Sequence, residues 1–253
     1  IMCGIFGYIG SKRATPILID GMRRLEYRGY DSTGIAVKNG DISVFKKIGK
    51  VSEMESILPL DLQGTSGIGH TRWATHGGVT DANAHPHAST SGEIVIVHNG
   101  IINNSRLLRA SLMAQGVELK SETDSEALVH MIEIELSIDN DPEAAVRRAL
   151  QKAVGTWGLC VLFKNHDLIV VARNGSPLVI GKGDGETFIS SDGPTLSEFT
   201  DKVVYLEDGD IAVVTATSIK RSSLKGGSKK VEITVLEKSW GEAELGEYEH
   251  FML

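Results

Sequence analysis

Cys3 lies close to the start of the chain, directly before Gly4 and the apolar run from Ile5 to Ile9. If Ile1 and Met2 are removed, Cys3 carries a free α-amino group. Such an amine titrates near pH 7.7 to 8.0, roughly where a thiol does at about 8.5. One residue can then supply both nucleophile and base, as an N-terminal Thr does with its own amine. The competing reading is a small strand residue buried in a core. The second cysteine, Cys160, falls inside the apolar run LCVLF and reads as an inert core thiol.

Further along, HTRWATHGG (70–78) packs a guanidinium, an indole, two hydroxyls and two imidazoles into nine residues. Arg72 can hold a carboxylate through two parallel hydrogen bonds, and Trp73 can wall or cover a small pocket. An ordinary strand end with a surface Arg remains the plain alternative. Asn99-Gly100 separates IVIVH from II, a strong hairpin-turn signal. The same pair can form an oxyanion hole from a side-chain amide and a backbone N–H, since Gly lets a ligand approach closely. Spacing does not choose between turn and hole. Asp124 stands where a helix N-cap is expected, and its carboxylate could also meet a positive ligand group.

Two other patterns resist a functional reading. His70, His76, His85, His87 and His98 fall within 29 residues. No HExxH occurs, however, and Pro86 interrupts the His-x-His pair, so core or turn histidines are preferred to a metal site. GKGDGE (181–186) lacks the spacing and the Ser or Thr of a phosphate loop, and reads as a turn.

The elements that must position these groups follow from periodicity. Helical stripes run through Ala14–Leu25, Ser105–Met113, Ser125–Leu136 and, behind an Asp141 cap and Pro142, to Ala153. Strand-like runs occur at Ile5–Ile9, Gly34–Val37, Ile42–Ile48, Ile94–His98, Leu159–Phe163, Leu168–Ala172, Leu178–Ile180, Val203–Leu206, Ile211–Val214 and Val231–Leu236. Helices do not alternate strictly with strands, which predicts an α+β fold with largely antiparallel sheets. Short, continuously apolar strands suit sheets covered on both faces. Lys220–Lys230 reads as a hairpin tip.

With 253 residues, the chain can bury a sizeable core as one large domain. A net charge of −7 argues against a nucleic-acid partner. No apolar stretch is long enough to span a bilayer and no signal peptide is visible, so a cytoplasmic location is expected. Two cysteines also fit a reducing compartment.

Several ordered segments together carry a resemblance: CGIFGYIG from Cys3, RRLEYRGYDSTGIAV from Arg23, HTRWATHGGVTDANAHPH from His70, HNGIINN from His98, SETDSEALVH from Ser121 and RNGSPLVIG from Arg173. They resemble the glutaminase domain of the glutamine–fructose-6-phosphate aminotransferase family, among the class II glutamine amidotransferases. The resemblance covers essentially the whole chain. It implies an N-terminal-nucleophile hydrolase fold, a four-layer αββα sandwich with two antiparallel sheets. It also implies hydrolysis of glutamine through a cysteine thioester, with no metal or organic cofactor.

By motif position, Cys3 matches the nucleophile and Asn99 and Gly100 the oxyanion hole. Arg72 matches the grip on the glutamine α-carboxylate, and Asp124 the partner of its α-ammonium. Trp73, Thr75 and His76 match the pocket wall and its supports, while Arg28 and Asp31 fall where a role near the nucleophile is plausible. Residues 1–240 would form the amidotransferase domain. EYEHFML, within 241–253, resembles the linker into a sugar-phosphate isomerase half that takes up ammonia on fructose 6-phosphate, in an enzyme expected to be a homo-oligomer.

Two features depart from the family pattern. Ile1-Met2 precedes Cys3; if Ile1 is a tag remnant, the amine stays an amide and activity is expected to be strongly impaired. The isomerase half is also missing, which suits a truncated chain limited to hydrolysing glutamine. The rival readings are the glutaminase half of another class II enzyme such as amidophosphoribosyltransferase, a His-cluster metal hydrolase, and a glutamine-binding module with a blocked Cys3.

Overall fold

The computed structural model describes residues 3–73 and 78–236. In chain order the strands are β1 (Gly4–Ile9), β2 (Ser32–Asn39), β3 (Asp41–Ile48), β4 (Ser66–Arg72), β5 (His87–Ala88), β6 (Ile94–Ile102), β7 (Gly155–Phe163), β8 (Ile169–Asn174), β9 (Val179–Lys182), β10 (Thr187–Ser190), β11 (Lys202–Tyr205), β12 (Asp210–Val214), β13 (Ile219–Ser223), β14 (Ser228–Lys229) and β15 (Thr234–Val235). The helices are α1 (Ala14–Arg24), α2 (Val51–Glu55), α3 (Ser105–Ala114), α4 (Asp124–Asp139), α5 (Pro142–Lys152) and α6 (Gly193–Leu196), with a 3-10 turn at Glu26–Arg28.

One antiparallel sheet runs β15-β11-β9-β10-β1-β4-β2-β3, and a second runs β14-β13-β12-β8-β7-β6-β5. Three apolar clusters define the layers between and around them. Ile5, Ile9, Val95, Val97, Cys160 and Leu162 meet between the sheets. Phe6, Tyr8, Leu18 and Met22 pack α1 onto the outer face of the first sheet. Ile96, Leu159, Val161, Leu128, Ile132 and Val146 pack α4 and α5 onto the outer face of the second. The order is therefore helix, sheet, sheet, helix: the expected αββα sandwich of the N-terminal-nucleophile hydrolase type.

Alternation in the central strands explains their unbroken apolar runs. In β1, Ile5 and Ile9 face the second sheet while Phe6 and Tyr8 face α1. In β7, Cys160 and Leu162 face inward while Leu159, Val161 and Phe163 face α4 and α5. Both faces are dry, so both sets must be apolar. The approach of α1 is close: a Cβ at Gly21 would lie 2.5 Å from the Phe6 ring.

The local signals for helices fare well. Asp141 accepts the Ala144 N–H and Pro142 occupies the first turn of α5. In α4 the cap is one residue earlier than expected: Thr123 accepts from Glu126 N–H, and Asp124 is the first helical residue. Asp124 cannot cap because its carboxylate is turned away to Ile102. Nine of the ten strand-like runs lie largely within strands, whereas Val231–Leu236 narrows to β15. β4, β5, β10, β13 and β14 fall outside those runs; SGIGHTR in β4 is too polar and Gly-rich to announce a strand, yet all of it is buried. GKGDGE is a turn between β9 and β10, closed by Gly183 N–H donating to Glu186 at 2.8 Å. Lys220–Lys230 forms the β13–β14 hairpin. The expected linker, 241–253, lies outside the described residues. No helix among the described residues is long and apolar enough to cross a membrane.

Candidate active site

The register of the two sheets brings the chemistry-bearing residues to one end of the sandwich. Antiparallel pairing of Gly4 with Thr71 sets Cys3 beside the residues that leave β4, Arg72 and Trp73. Facing them from the second sheet is the far half of β6, and beyond it the start of α4. A cavity of about 240 Å³ opens there, lined by Cys3, Arg72, Trp73, Asn99, Gly100 and Asp124 among others. Six residues singled out from sequence thus share one cavity. Thr75 and His76 lie outside the described residues.

The Cys3 sulfur accepts the Trp73 backbone N–H at 3.2 Å, and the thiol lies 3.5 Å from the Trp73 carbonyl. Burial pushes the thiol pKa up. The Trp73 N–H and the Arg72 and Arg28 charges oppose that rise without cancelling it. The thiol therefore needs a base to become a nucleophile at neutral pH.

Asn99-Gly100 is not a hairpin turn. Both residues lie within β6, Asn99 opposite Gly158 and Gly100 opposite Trp157. Gly100 has φ +135°, and a Cβ there would sit 2.2 Å from the Thr156 carbonyl oxygen. The turn signal was really a demand for glycine inside a strand. The Asn99 side-chain Nδ2 donates to the Cys3 carbonyl at 2.8 Å, so the amide stands beside Cys3.

Arg72 ends β4 and is buried, 5% exposed, which removes the surface-Arg reading. Its Nη1 donates to the Gly78 carbonyl at 3.3 Å. Asp124 Oδ2 accepts the Ile102 N–H at 2.7 Å, tying the start of α4 to the end of β6. The cavity thus has a cationic and an anionic group on its wall, a pairing suited to a free amino acid's two charges. Trp73 meets Tyr30 edge-on, ring centroids 5.8 Å apart. Arg28 reaches Asp192 at 3.3 Å and does not line the cavity; Asp31 touches the site through its backbone, donating to the Arg72 carbonyl at 3.0 Å.

The described histidines of the cluster are buried with specific partners, and His85 and His98 also line the cavity. His70 Nε2 lies 2.9 Å from Asn99 Oδ1, and His87 Nε2 lies 3.0 Å from Thr123 Oγ1. Ser125 Oγ joins His98 Nδ1 at 2.8 Å and His85 Nε2 at 3.0 Å. Burial lowers the pKa of all four, His70 to about 3. They are neutral at physiological pH. Sequence reasoning missed Ser125, Thr156 and Ser176, which also line the cavity. Ser125 adjoins Asp124 and could have been suspected; nothing in the spacing marks Thr156 or Ser176.

Solved structures place this architecture in a class. Glutamine phosphoribosylpyrophosphate amidotransferase from B. subtilis superposes with a TM-score of 0.77 at 23% identity, over 90% of this chain and 50% of its own. A structure described as the allosteric regulatory enzyme of purine biosynthesis gives 0.76 at 25% identity, over 88% and 49%. The fold is that of the N-terminal-nucleophile hydrolases among the class II amidotransferases.

Residues 70–198 match the glutamine amidotransferase domain, and the chain belongs to that family. Among curated relatives, glutamine–fructose-6-phosphate aminotransferase (isomerizing) of Chlorobaculum tepidum is 50% identical across the whole chain, and that of Bacteroides thetaiotaomicron 47%. The Thermus thermophilus protein of the same name is 44% identical. The chain spans 42% of the length of each of these three relatives.

Proposed function

We propose that this domain hydrolyses the side-chain amide of glutamine to glutamate and ammonia, with Cys3 as nucleophile. The observation that carries the reading is the single cavity in which the Cys3 thiol, the Asn99 amide, Arg72 and Asp124 converge. Arg72 takes the α-carboxylate and Asp124 the α-ammonium, leaving the amide to reach sulfur. Trp73 forms part of the pocket wall.

With Cys3 at the N-terminus, its α-amine accepts the thiol proton and sulfur attacks the amide carbon. The Asn99 Nδ2–H and Gly100 N–H hold the oxyanion of the tetrahedral adduct. The ammonium returns its proton to the leaving nitrogen, ammonia departs, and a γ-glutamyl thioester remains. Water, deprotonated by the amine, attacks the thioester; glutamate leaves and the thiol is restored. Protein groups and water supply every proton in this sequence.

In a longer protein the ammonia is transferred to fructose 6-phosphate by a C-terminal isomerase half, giving glucosamine 6-phosphate in a cytoplasmic homo-oligomer. Residues 1–240 form the amidotransferase domain of that protein and 241–253 the start of its linker. Identities of 44–50% with relatives bearing that activity's name favour it over amidophosphoribosyltransferase, whose likeness is 23%.

The test joins an ammonia assay to peptide mass after exposure to an electrophilic glutamine analogue. A chain starting at Cys3 is expected to release ammonia and to carry the adduct on Cys3. The same chain starting at Ile1 should be slower by roughly 100-fold or more, because an amide nitrogen cannot act as base. Ammonia release without a Cys3 adduct, or equal rates from the two forms, refutes the reading.

A further inference from the structure

The Asn99 side chain works as an oxyanion donor only if its NH₂ end, and not its oxygen, faces the nucleophile. An amide has nearly the same shape either way round, so something must choose. On one side the choice is made by the Cys3 carbonyl, which can only accept and takes Nδ2–H at 2.8 Å. That contact is made by the residue that reacts. On the other side stands His70, whose Nε2 is 2.9 Å from Asn99 Oδ1.

We infer that His70 is a positioning residue of the oxyanion hole: its Nε2–H holds Asn99 Oδ1, so that the amide presents Nδ2–H to the reacting carbonyl. This rests on the glutaminase reading above and deepens it.

Three observations support the assignment. First, the ring has one hydrogen-bonded nitrogen. His70 Nδ1 is buried with no partner, so a proton there would be an orphaned N–H while Nε2 and Asn99 Oδ1 faced each other lone pair to lone pair. The proton on Nε2 avoids both penalties. Second, the ring cannot turn freely. It stacks on His85 with centroids 4.2 Å apart and planes within 25°, and it is 1% exposed.

Third, His85 is itself fixed. His98 Nε2 lies 3.3 Å from the Thr156 carbonyl, which only accepts, so His98 Nδ1 accepts from the Ser125 hydroxyl at 2.8 Å. The Ser125 oxygen is then left to accept from His85 Nε2–H at 3.0 Å. The protons of His98, Ser125 and His85 thus follow from the Thr156 carbonyl, as those of Asn99 and His70 follow from the Cys3 carbonyl. Burial, which keeps His70 neutral, keeps a single proton on the ring. If the proton moved to Nδ1, the preferred amide rotamer would invert. Asn99 would then turn an oxygen toward the oxyanion, repelling what it now binds.

The experiment compares chains starting at Cys3, all checked by thermal melts. His70→Leu should lower kcat for ammonia release roughly 10- to 100-fold, part of the loss expected for removing the donor itself. Its KM for glutamine and its affinity for glutamate should stay within about threefold, since neither depends on the oxyanion. His70→Gln, whose terminal N–H reaches about as far as Nε2, should recover most of kcat. On an Asn99→Ala background, His70→Leu should add no more than about threefold.

An unchanged kcat in folded His70→Leu overturns the inference. So does a rise in KM matching the fall in kcat, or a full His70→Leu loss persisting without Asn99. Should His70→Leu not fold, the His70→Gln rate and nitrogen-15 spectra of the unmutated protein decide. A His70 proton on Nε2 is expected, and one on Nδ1 overturns the assignment. If the unmutated chain releases no ammonia at all, the glutaminase reading fails separately, and the nitrogen-15 result still stands or falls alone.

Discussion

Cys160 and Cys3 occupy the same sandwich and differ in what surrounds the sulfur. Cys160 sits mid-strand in β7, fully buried among Val95, Val97 and other apolar side chains between the sheets. Burial is the one influence on its thiol, and pushes the pKa far up. Cys3 stands just before the start of β1, where the chain borders a cavity. Burial raises its thiol too, but a backbone N–H and two guanidinium charges pull the other way. The middle of the sheets offers only packing. At their ends, strands release backbone donors and charged side chains into shared space, and there a thiol can be put to use.

The sharpest way to break this comparison is to swap alanine into each. Cys3→Ala should lower ammonia release by roughly four orders of magnitude or more, with a normal melt. Cys160→Ala should leave kcat within about twofold and cost about 1–2 kcal/mol in urea unfolding. Activity lost at Cys160, or kept at Cys3, would reverse the roles.

Next in size is Asn99→Ala, expected to reduce kcat roughly 100- to 1,000-fold with KM little changed. A loss appearing mainly in KM would make Asn99 a binding group. Asp124→Asn keeps an oxygen for the Ile102 N–H but removes the charge. It should raise KM for glutamine roughly 10- to 100-fold while kcat moves less, as steady-state ammonia assays would show.

The smallest effect sharpens the contrast from the stability side. His70, with a pKa of about 3, and its neighbours His85, His87 and His98 resist protonation when folded. The unfolded chain takes up those protons near pH 6.5, so it binds more protons than the folded one below that pH. Stability should therefore fall as pH drops from about 6.5 toward 3, each histidine adding at most about 1.4 kcal/mol per pH unit. Urea midpoints near pH 7.5 and 5 read the slope, which His70→Leu should flatten.

The two regions were unequally legible. Layers could be read from the strings themselves, because strands dry on both faces must be apolar throughout, as in LCVLF and IVIVH. The site residues were individually visible but their meeting was not: 69 to 121 positions of chain separate Cys3 from Arg72, Asn99 and Asp124. The resemblance brought them together before the geometry did. Asn99-Gly100 misled as a turn because propensity reports only a need for glycine, and here that need arises within a strand, where Gly100 takes φ +135° and the Thr156 carbonyl leaves no room for a Cβ. Nothing marked Thr156 or Ser176, whose place depends on the register of β7 and the chain after β8.

The hydrogen bond from Ile102 N–H to Asp124 Oδ2 has a metrical consequence. It ties Asp124, proposed above to hold the amino acid's ammonium, to the strand that bears Asn99 and Gly100, so the span between the two is set by the scaffold. On the proposed reading, the cavity gauges side-chain length. Asparagine, one methylene shorter and identical at its head, should then bind at the head but leave its amide about 1 Å or more short of sulfur, a gap large enough to stall the attack. Binding of asparagine without ammonia release, by calorimetry beside the ammonia assay, is how that gauge would show itself.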